Sequence, residues 1–251
     1  MKVIILAAGI GKRLGPTSDN KPKCLLQFDG ISLLRQHLNY LTKFGVNEIV
    51  IVYGFRKDLI DAEIREIKAE VPVRTVLNPD FTLGSVVSFW SAREILKSGE
   101  DIILMDADVL YDPAILKALI DTPYKNCFLL DRDFEPGEEP VKLCIRNGHL
   151  IEFRKQIAKD LVFEAQGESV GFFRFNPEMA EKLAGRAQDY IDDGKHAEPY
   201  EEVIRDLLLL EQAAFAFEDI TGIPWVEIDF PEDIVKASQI MKNMQSRHYR
   251  N

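Results

Sequence analysis

The chain has 251 residues and a formal net charge of −10, from 31 Lys and Arg against 41 Asp and Glu. This length suits one α/β domain with a sizeable core, or one domain that carries a small insertion. The acidic balance argues against a broad contact with a nucleic-acid backbone, so we expect no nucleic-acid partner. A local basic site for a small anion remains compatible with this charge.

The cysteines and the N-terminal residues indicate the cellular compartment. Cys24, Cys127 and Cys144 are widely spaced, which predicts neither a disulfide framework nor a cysteine zinc site. The apolar run at residues 3–8 is too short to span a bilayer and leads into charged residues. We therefore expect a cytoplasmic protein without a signal peptide or a membrane partner, with Met1 as its N-terminus.

Apolar and amphipathic stretches alternate through the first half of the chain. The pattern predicts strands at 2–6, 48–52, 73–77 and 101–105, and helices at 33–44, 57–70 and 86–96. This order is typical of an α/β fold with a doubly wound, mostly parallel, Rossmann-like sheet covered by helices on both faces. The first two strands lack polar alternation, so we expect them at the centre of the sheet.

The pattern changes after residue 130. The acidic segment 131–140 predicts an exposed loop, and Asn147-Gly148 between two apolar runs predicts a hairpin with a type I′ turn. The remaining pattern predicts a strand at 169–175, helices at 177–191, 199–209 and 231–243, and strands near 214–217 and 225–228. One domain would thus comprise a first part (1–130), a small β-rich insertion (about 131–176) that caps the sheet, and closing helices and strands (177–251).

A glycine turn with cationic neighbours follows the first strand. Residues 6–14 read LAAGIGKRL, and Pro22-Lys23 comes shortly after them. Glycines allow the backbone to approach an anion closely, and ligands of open α/β sheets bind at the carboxyl ends of the strands. The alternative is a tight turn with solvated lysines. A P-loop requires Ser or Thr where Arg13 stands, and a dinucleotide fingerprint requires Gly where Leu14 stands, so both are disfavoured.

Carboxylates follow two other predicted strands. Asp106 and Asp108 come directly after the strand at 101–105, and Asp229 follows the strand near 225–228. Carboxylate oxygens are the ligands that Mg²⁺ prefers in proteins. An aspartate after a strand also serves as a simple loop cap, which is the alternative for each residue taken alone.

The glycine turn together with Pro22-Lys23 resembles the signature of the sugar-nucleotidyltransferase superfamily, L-A-A-G-x-G-x-R followed by P-K. The resemblance implies that Arg13 lies against the β- and γ-phosphates of a nucleoside triphosphate and that Lys23 contacts phosphates near the reacting centre. It implies Mg²⁺ on Asp108 and Asp229, and a catalytic set of Arg13, Lys23 and Asp108. The implied nucleotide contacts in this region are Leu6, Ala7, Ala8, Gly9, Gly11, Lys12, Arg13, Lys23 and Asp106.

A loop at residues 78–88 follows the third predicted strand. In the resembled family this segment lines the base, so Asn78, Gly84, Ser85 and Ser88 become candidates for contact with the nucleobase or phosphates. Thr82 or Ser85 also suits the N-cap of the following helix.

The insertion resembles the family's acceptor-binding strands. Lys142 or Lys155 would receive the acceptor phosphate, and Glu168 a cation or hydroxyl, with Ser169 beside it. An exposed lysine on a sheet edge is the alternative for both lysines. We expect the aromatic residues, including Phe172 and Phe173, in the core rather than in a cage for a quaternary amine. Glu201 and Glu202 are explained by the favourable position of acids at a helix start.

Among members of the superfamily, the chain looks most like the cytidylyltransferases of small phosphorylated alcohols, such as phosphocholine, inositol phosphate and aminoethylphosphonate. The resemblance implies transfer of CMP from CTP to a phosphate or phosphonate monoester with release of pyrophosphate. A hexose-1-phosphate nucleotidyltransferase using UTP, dTTP or GTP, and a non-catalytic nucleotide-binding regulatory subunit, are the alternatives. The acceptor, the choice of CTP and a homodimeric state stay open.

Overall fold

Residues 1–18 and 20–248 are described by a computed structural model, and a nine-stranded sheet is their largest element. The strands are β1 (Lys2–Ala7), β2 (Gln27–Phe28), β3 (Ile31–Ser32), β4 (Glu48–Tyr53), β5 (Val73–Leu77), β6 (Ile102–Asp106), β7 (Val109–Tyr111), β8 (Cys127–Asp131), β9 (Lys142–Arg146), β10 (His149–Arg154), β11 (Ala165–Phe175), β12 (Ala216–Asp219) and β13 (Trp225–Glu227). The helices are α1 (Leu33–Lys43), α2 (Lys57–Ile67), α3 (Ser85–Ser91), α4 (Arg93–Leu96), α5 (Pro113–Asp121), α6 (Pro177–Asp192), α7 (Tyr200–Leu210) and α8 (Pro231–His248).

The strand order of the main sheet is β10-β9-β11-β6-β1-β4-β5, and β8 pairs with β11 and β12. Strands β6, β1, β4 and β5 are parallel, whereas β11 runs antiparallel to β6. Alternate residues of β1 enter the two helix layers, since Ile4 packs in one core cluster and Ile5 in another. The predicted doubly wound, mostly parallel sheet is therefore confirmed. Strand β4 is second from the edge rather than central, but its apolar residues are buried on both faces.

The hairpin of β9 and β10 joins the main sheet, so the expectation that it caps the sheet is wrong. Strand β11 begins at Ala165, four residues earlier than expected, and this first part pairs with β9 while its second part pairs with β6. Gly171, with φ of +78°, lies between the two parts. Asn147 and Gly148 both have positive φ, as the predicted turn requires.

Two further local differences concern the short strands β7 and β8 and the helix expected at 86–96. Strands β7 and β8 are uniformly buried, so they lack the alternation that identifies a strand from sequence. The helix expected at 86–96 is divided into α3 and α4 at Ala92. No helix among the described residues is both long and apolar enough to cross a bilayer.

Candidate active site

The glycine turn lies at the carboxyl end of β1, in the wall of a cavity of about 470 Å³. A Cβ atom at Gly9 would meet no atom within 4 Å, so the backbone is open to a ligand there. Gly11 has φ of +69°, and a Cβ atom at this position would lie 3.0 Å from Cγ of Lys23. The second glycine therefore allows both the turn itself and the passage of Lys23 beside it.

Most of the predicted nucleotide-binding residues line this cavity. From the turn, these are Leu6, Ala8, Gly9, Gly11, Lys12 and Arg13. From other elements, they are Gly84, Ser85, Ser88 and Asp106. Ala7 and Lys23 line an adjoining cavity of about 90 Å³ that shares Gly9 and Gly11 with the larger one.

Asn78 does not reach the cavity, contrary to the expectation from sequence. Its side chain is fully buried, Nδ2 donates a hydrogen bond to Oγ of Ser88 at 2.9 Å, and Oδ1 accepts one from the backbone of Asp80. Both polar atoms are thus used inside the protein. Asn78 holds the loop that carries Ser88, and its own side chain does not line the cavity.

The cationic and acidic candidates converge at the same end of the sheet. Nζ of Lys23 donates hydrogen bonds to Oδ2 of Asp108 at 2.9 Å and to Oδ1 of Asp229 at 2.6 Å. Nη2 of Arg13 donates to the same Asp229 oxygen at 2.9 Å. Burial works to lower the pKa of Lys23, but the two carboxylates outweigh it and raise this pKa. The ammonium group therefore stays charged between the two acids.

A third carboxylate, missed in the sequence, joins the predicted pair. One oxygen each of Asp108, Glu227 and Asp229 lie within 4.8 Å of one another. Glu227 ends β13 and stands two residues before Asp229, a spacing that puts both side chains on one face of an extended segment. The backbone of Ile228 donates to the carbonyl of Asp108 at 2.9 Å, which holds the two segments together. Three clustered carboxylates suit a hard divalent cation.

The environment of Glu227 favours its uncharged form when no cation is bound. The residue is accessible from the cleft, yet the cleft walls desolvate its carboxyl group, and the charges of Asp108 and Asp229 act in the same direction. Together they raise the pKa of Glu227 to about 8. A cation would reverse this effect by stabilising all three carboxylates.

Asp106 lines the same cavity but is not one of the three clustered carboxylates. Its Oδ2 accepts a hydrogen bond from the hydroxyl of Tyr200 at 2.7 Å. A Cβ atom at Gly171 would overlap this oxygen, so the absence of a side chain at position 171 leaves room for the carboxylate of Asp106. Burial, followed by the charge of Asp108, raises the pKa of Asp106 well above its usual range. A nucleotide contact by Asp106 stays a prediction.

The loop before α3 is hydrogen-bonded to the start of α7. The backbone N–H of Gly84 donates to the carbonyl of His196 at 2.7 Å, and a Cβ atom at Gly84 would overlap the backbone of Ala197. Oγ of Ser85 accepts from the backbone of Tyr200 at 2.9 Å. Gly84 itself is the N-cap of α3, so the expected cap by Thr82 or Ser85 is wrong. Glycine is required at position 84 because a side chain there would overlap the backbone of the loop before α7.

The four predicted acceptor residues have different surroundings. Lys155 lines the 470 Å³ cavity, and its Nζ lies 3.2 Å from Oε2 of Glu139. Lys142 does not line it, because its Nζ donates to the carbonyls of Pro140 and Lys155. Ser169 is buried, and its Oγ accepts from the backbone of Gly171. The structure therefore brings Lys155, but neither Lys142 nor Ser169, to the cleft.

Glu168 lines an adjoining cavity of about 410 Å³, which shares Glu227 with the 470 Å³ cavity and also contains Glu139 and Asp229. Burial, followed by the charge of Asp131, raises the pKa of Glu168 to about 7. The aromatic residues Phe172 and Phe173 are fully buried, as expected for core positions.

Several characterised proteins resemble this chain. It is 28% identical over 248 residues to CMP-5′-(3-aminopropyl)phosphonate synthase of Streptomyces rubellomurinus, in a match that covers 93% of the chain but only 37% of that protein. It is 24% identical to CTP:phosphoglutamine cytidylyltransferase of Campylobacter jejuni, covering 93% and 98% of the two chains. It is also 24% identical to choline-phosphate cytidylyltransferase of Streptococcus pneumoniae, covering 97% and 99%.

Solved structures show the same fold. The inositol-1-phosphate CTP transferase from T. maritima superposes with a TM-score of 0.79 at 22% identity, covering 97% of this chain and 96% of that one. The family described as MobA-like NTP transferase domain matches residues 3–162, well over half of the chain. The resemblance inferred from the glycine turn is thereby confirmed. The chain belongs to the MobA-like NTP transferase domain family and is a nucleotidyltransferase.

Proposed function

We propose that the protein transfers a cytidylyl group from CTP to a small phosphate or phosphonate monoester and releases pyrophosphate. The observation that carries this proposal is the contact of Lys23 with both Asp108 and Asp229 beside the glycine turn. This contact assembles a site for phosphates and a cation from three distant parts of the chain. The named relatives support the cytidylyl group and the kind of acceptor, since they are named for aminopropylphosphonate, phosphoglutamine and choline phosphate.

The chemistry of the proposed reaction matches the residues of the cleft. The acceptor oxygen is already an anion at neutral pH, so it can attack the α-phosphorus without a general base. The bond from this phosphorus to the bridging oxygen breaks, and pyrophosphate leaves. Arg13 and Lys23 are placed to offset the charge of the departing phosphates, and Lys155 to hold the acceptor phosphate.

The carboxylates of Asp108, Glu227 and Asp229 fit Mg²⁺, because all three offer hard oxygen ligands within one small volume. When bound, the ion would supply charge neutralisation at the reacting phosphates. Lys23 would then leave the two aspartates and turn toward the phosphates. We place the nucleotide in the part formed by residues 1–130, and the acceptor between the segment 131–176 and the start of α7.

A pyrophosphate-release screen tests this function. CTP, UTP, GTP and dTTP would each be combined with Mg²⁺ and a panel of phosphocholine, inositol 1-phosphate, 2-aminoethylphosphonate and glucose 1-phosphate. We expect release with CTP and a small monoester, and a rate on the order of a hundredfold lower for Asp108→Asn. Turnover with glucose 1-phosphate and another nucleotide would favour the hexose alternative. No release above the Asp108→Asn background with any pair would overturn the assignment as an enzyme.

A further inference from the structure

Glu201 presents a buried carboxylate oxygen that the chain itself does not satisfy. It is the second residue of α7, and it lines both the 470 Å³ cavity and a second cavity of about 700 Å³, to which Lys155 also belongs. Its Oε2 accepts no hydrogen bond from any residue in the ranges 1–18 and 20–248. A buried polar atom without a partner is costly, and a charged one more so.

The position of Glu201 at a helix start does not account for this oxygen. The next residue, Glu202, forms ion pairs with Arg154 at 2.8 Å and with Arg205 at 3.9 Å. An acid at a helix start is favourable, but the same benefit is available to a solvated side chain. Burial instead raises the pKa of Glu201, which means that its surroundings disfavour the charge.

Three cations around the cleft already have acidic partners among the described residues. Lys23 lies between Asp108 and Asp229. Nη1 of Arg13 donates to Oε2 of Glu139 at 2.5 Å, and Lys155 pairs with the same oxygen. Asp106, one of the acids that line the same cavity, accepts from Tyr200. Lys12 also lines this cavity, but no described residue reaches Oε2 of Glu201, so its donor is expected from a ligand.

The reactants of the proposed reaction restrict what that donor can be. The triphosphate and the acceptor phosphate are anions, which a glutamate repels, so the fitting group is a cation elsewhere in the acceptor. A quaternary amine is disfavoured because it has no N–H to donate. The aromatic ring of Tyr200, which would be needed for a cage, packs against Phe89 and Phe173 instead.

We infer that Glu201 binds a protonated amino group of the acceptor, so that the acceptor is an aminoalkyl phosphate or phosphonate monoester. This inference rests on the proposed function, since it takes the cleft to hold an acceptor phosphate on Lys155. The ammonium group would form a charge-assisted hydrogen bond to Oε2 and complete a site that is otherwise unsatisfied. Glu201 acts in choosing the acceptor and takes no part in the transfer itself.

Matched acceptors separate this inference from the proposed function. Steady-state rates with CTP would be measured for 2-aminoethylphosphonate and for 2-hydroxyethylphosphonate, which replaces the ammonium by a hydroxyl. We expect the wild type to prefer the amine on the order of 10- to 100-fold in kcat/KM, the range expected for a hydrogen bond between charged groups. Glu201→Gln should abolish this preference by raising KM for the amine, with KM for CTP unchanged.

Glu181→Gln provides the control, because it removes the same charge from an exposed residue of α6 that lines neither of these cavities. It should keep the wild-type preference. Thermal denaturation gives a second readout: Glu201→Gln should melt at or above the wild-type temperature, since it removes the charge from a carboxylate with one buried oxygen that has no partner among the described residues. If Glu201→Gln does not fold, Glu201→Asp should keep the preference for the amine in weaker form.

The possible results are distinct. No release with any acceptor overturns the proposed function and, with it, this inference. Equal use of the amine and the hydroxyl analogue by the wild type overturns the inference alone. Equal losses for both acceptors in Glu201→Gln, or a raised KM for CTP, also overturn it. A preference that disappears in Glu201→Gln and persists in Glu181→Gln supports it.

Discussion

Nζ of Lys23 donates a hydrogen bond of 2.6 Å to Oδ1 of Asp229, and so joins residues that are 206 positions apart in the chain. The same ammonium group contacts Asp108, so it holds together two of the three carboxylates that suit a divalent cation. In the absence of a metal ion, Lys23 provides the positive charge that keeps these acids close to one another.

Replacing Lys23 by alanine should destabilise the metal-free protein and increase its response to Mg²⁺. The loss of two charge-assisted hydrogen bonds should lower the free energy of unfolding by about 1–3 kcal/mol. Mg²⁺ would then compete with Arg13 alone for these carboxylates, so it should raise the melting temperature more in Lys23→Ala than in the wild type. Lys21→Ala, at an exposed position nearby, should behave as the wild type. An equal Mg²⁺ effect in all three proteins would contradict this role.

Replacing Glu139 by glutamine should strengthen nucleotide binding. Glu139 is exposed and pairs with both Arg13 and Lys155, the side chains expected to meet phosphates. Removing its charge should lower Kd for CTP about two- to fivefold, the range expected for exposed ion pairs, and high salt should reduce the difference. Calorimetric titration measures both effects. Glu138→Gln, an equal charge change at the adjacent exposed residue, should leave Kd unchanged, and a matching gain there would refute the explanation.

Gly171→Ala should lower the stability of the folded protein. The residue has φ of +78°, and a side chain would overlap Oδ2 of Asp106. Strain and overlap together should lower the free energy of unfolding by about 2–4 kcal/mol. Gly185 in α6 is the matched control, because a Cβ atom there meets open space. Gly185→Ala should stabilise the protein by about 0.5–1 kcal/mol, as expected inside a helix. Urea denaturation gives both values, and a loss of the same size at both positions would rule out this reason.

Glu168 should make the protein less stable as the pH rises. Its folded-state pKa of about 7 exceeds the ordinary value of about 4.3, so the folded protein holds this proton more tightly than the unfolded chain. Stability from this group is therefore lost between about pH 4.3 and 7. The free energy of unfolding of Glu168→Gln relative to wild type should increase by on the order of 1–3 kcal/mol from pH 5 to pH 8. A difference that stays constant across this range would contradict the assignment.

The sequence predicted the sheet and the convergence of Arg13, Lys23, Asp108 and Asp229. Arg13 and Asp108 lie close because they follow the parallel strands β1 and β6, whose carboxyl ends meet at one edge of the sheet. The places of Lys23 and Asp229 were implied by the family resemblance, since β13, which precedes Asp229, lies outside the parallel sheet. Glu227 could have been found from its spacing of two before Asp229. Its assignment also required the pairing of β13 with β7, which no local pattern indicates.

The partners of individual side chains were not predictable in the same way. Lys142 is suited to binding an acceptor phosphate, but the fold places two carbonyls around its ammonium group. Likewise, the side chain of Asn78 donates a hydrogen bond to Ser88, and Glu202 accepts one from Arg154. In each case the outcome depends on which polar atoms long-range packing brings within reach, and residue type alone does not determine it.

The hydrogen bonds that connect the loop before α3 to the start of α7 have a consequence for engineering. Gly84 and Ser85 are tied to His196 and Tyr200, so the wall next to the nucleotide shares its backbone contacts with the helix that carries Glu201. These contacts use backbone atoms of His196 and Tyr200, so a chimaera that imports residues 196–205 from a relative keeps them only if the new backbone follows the same path past Gly84. Residues 82–88 are therefore the segment to exchange together with the start of α7.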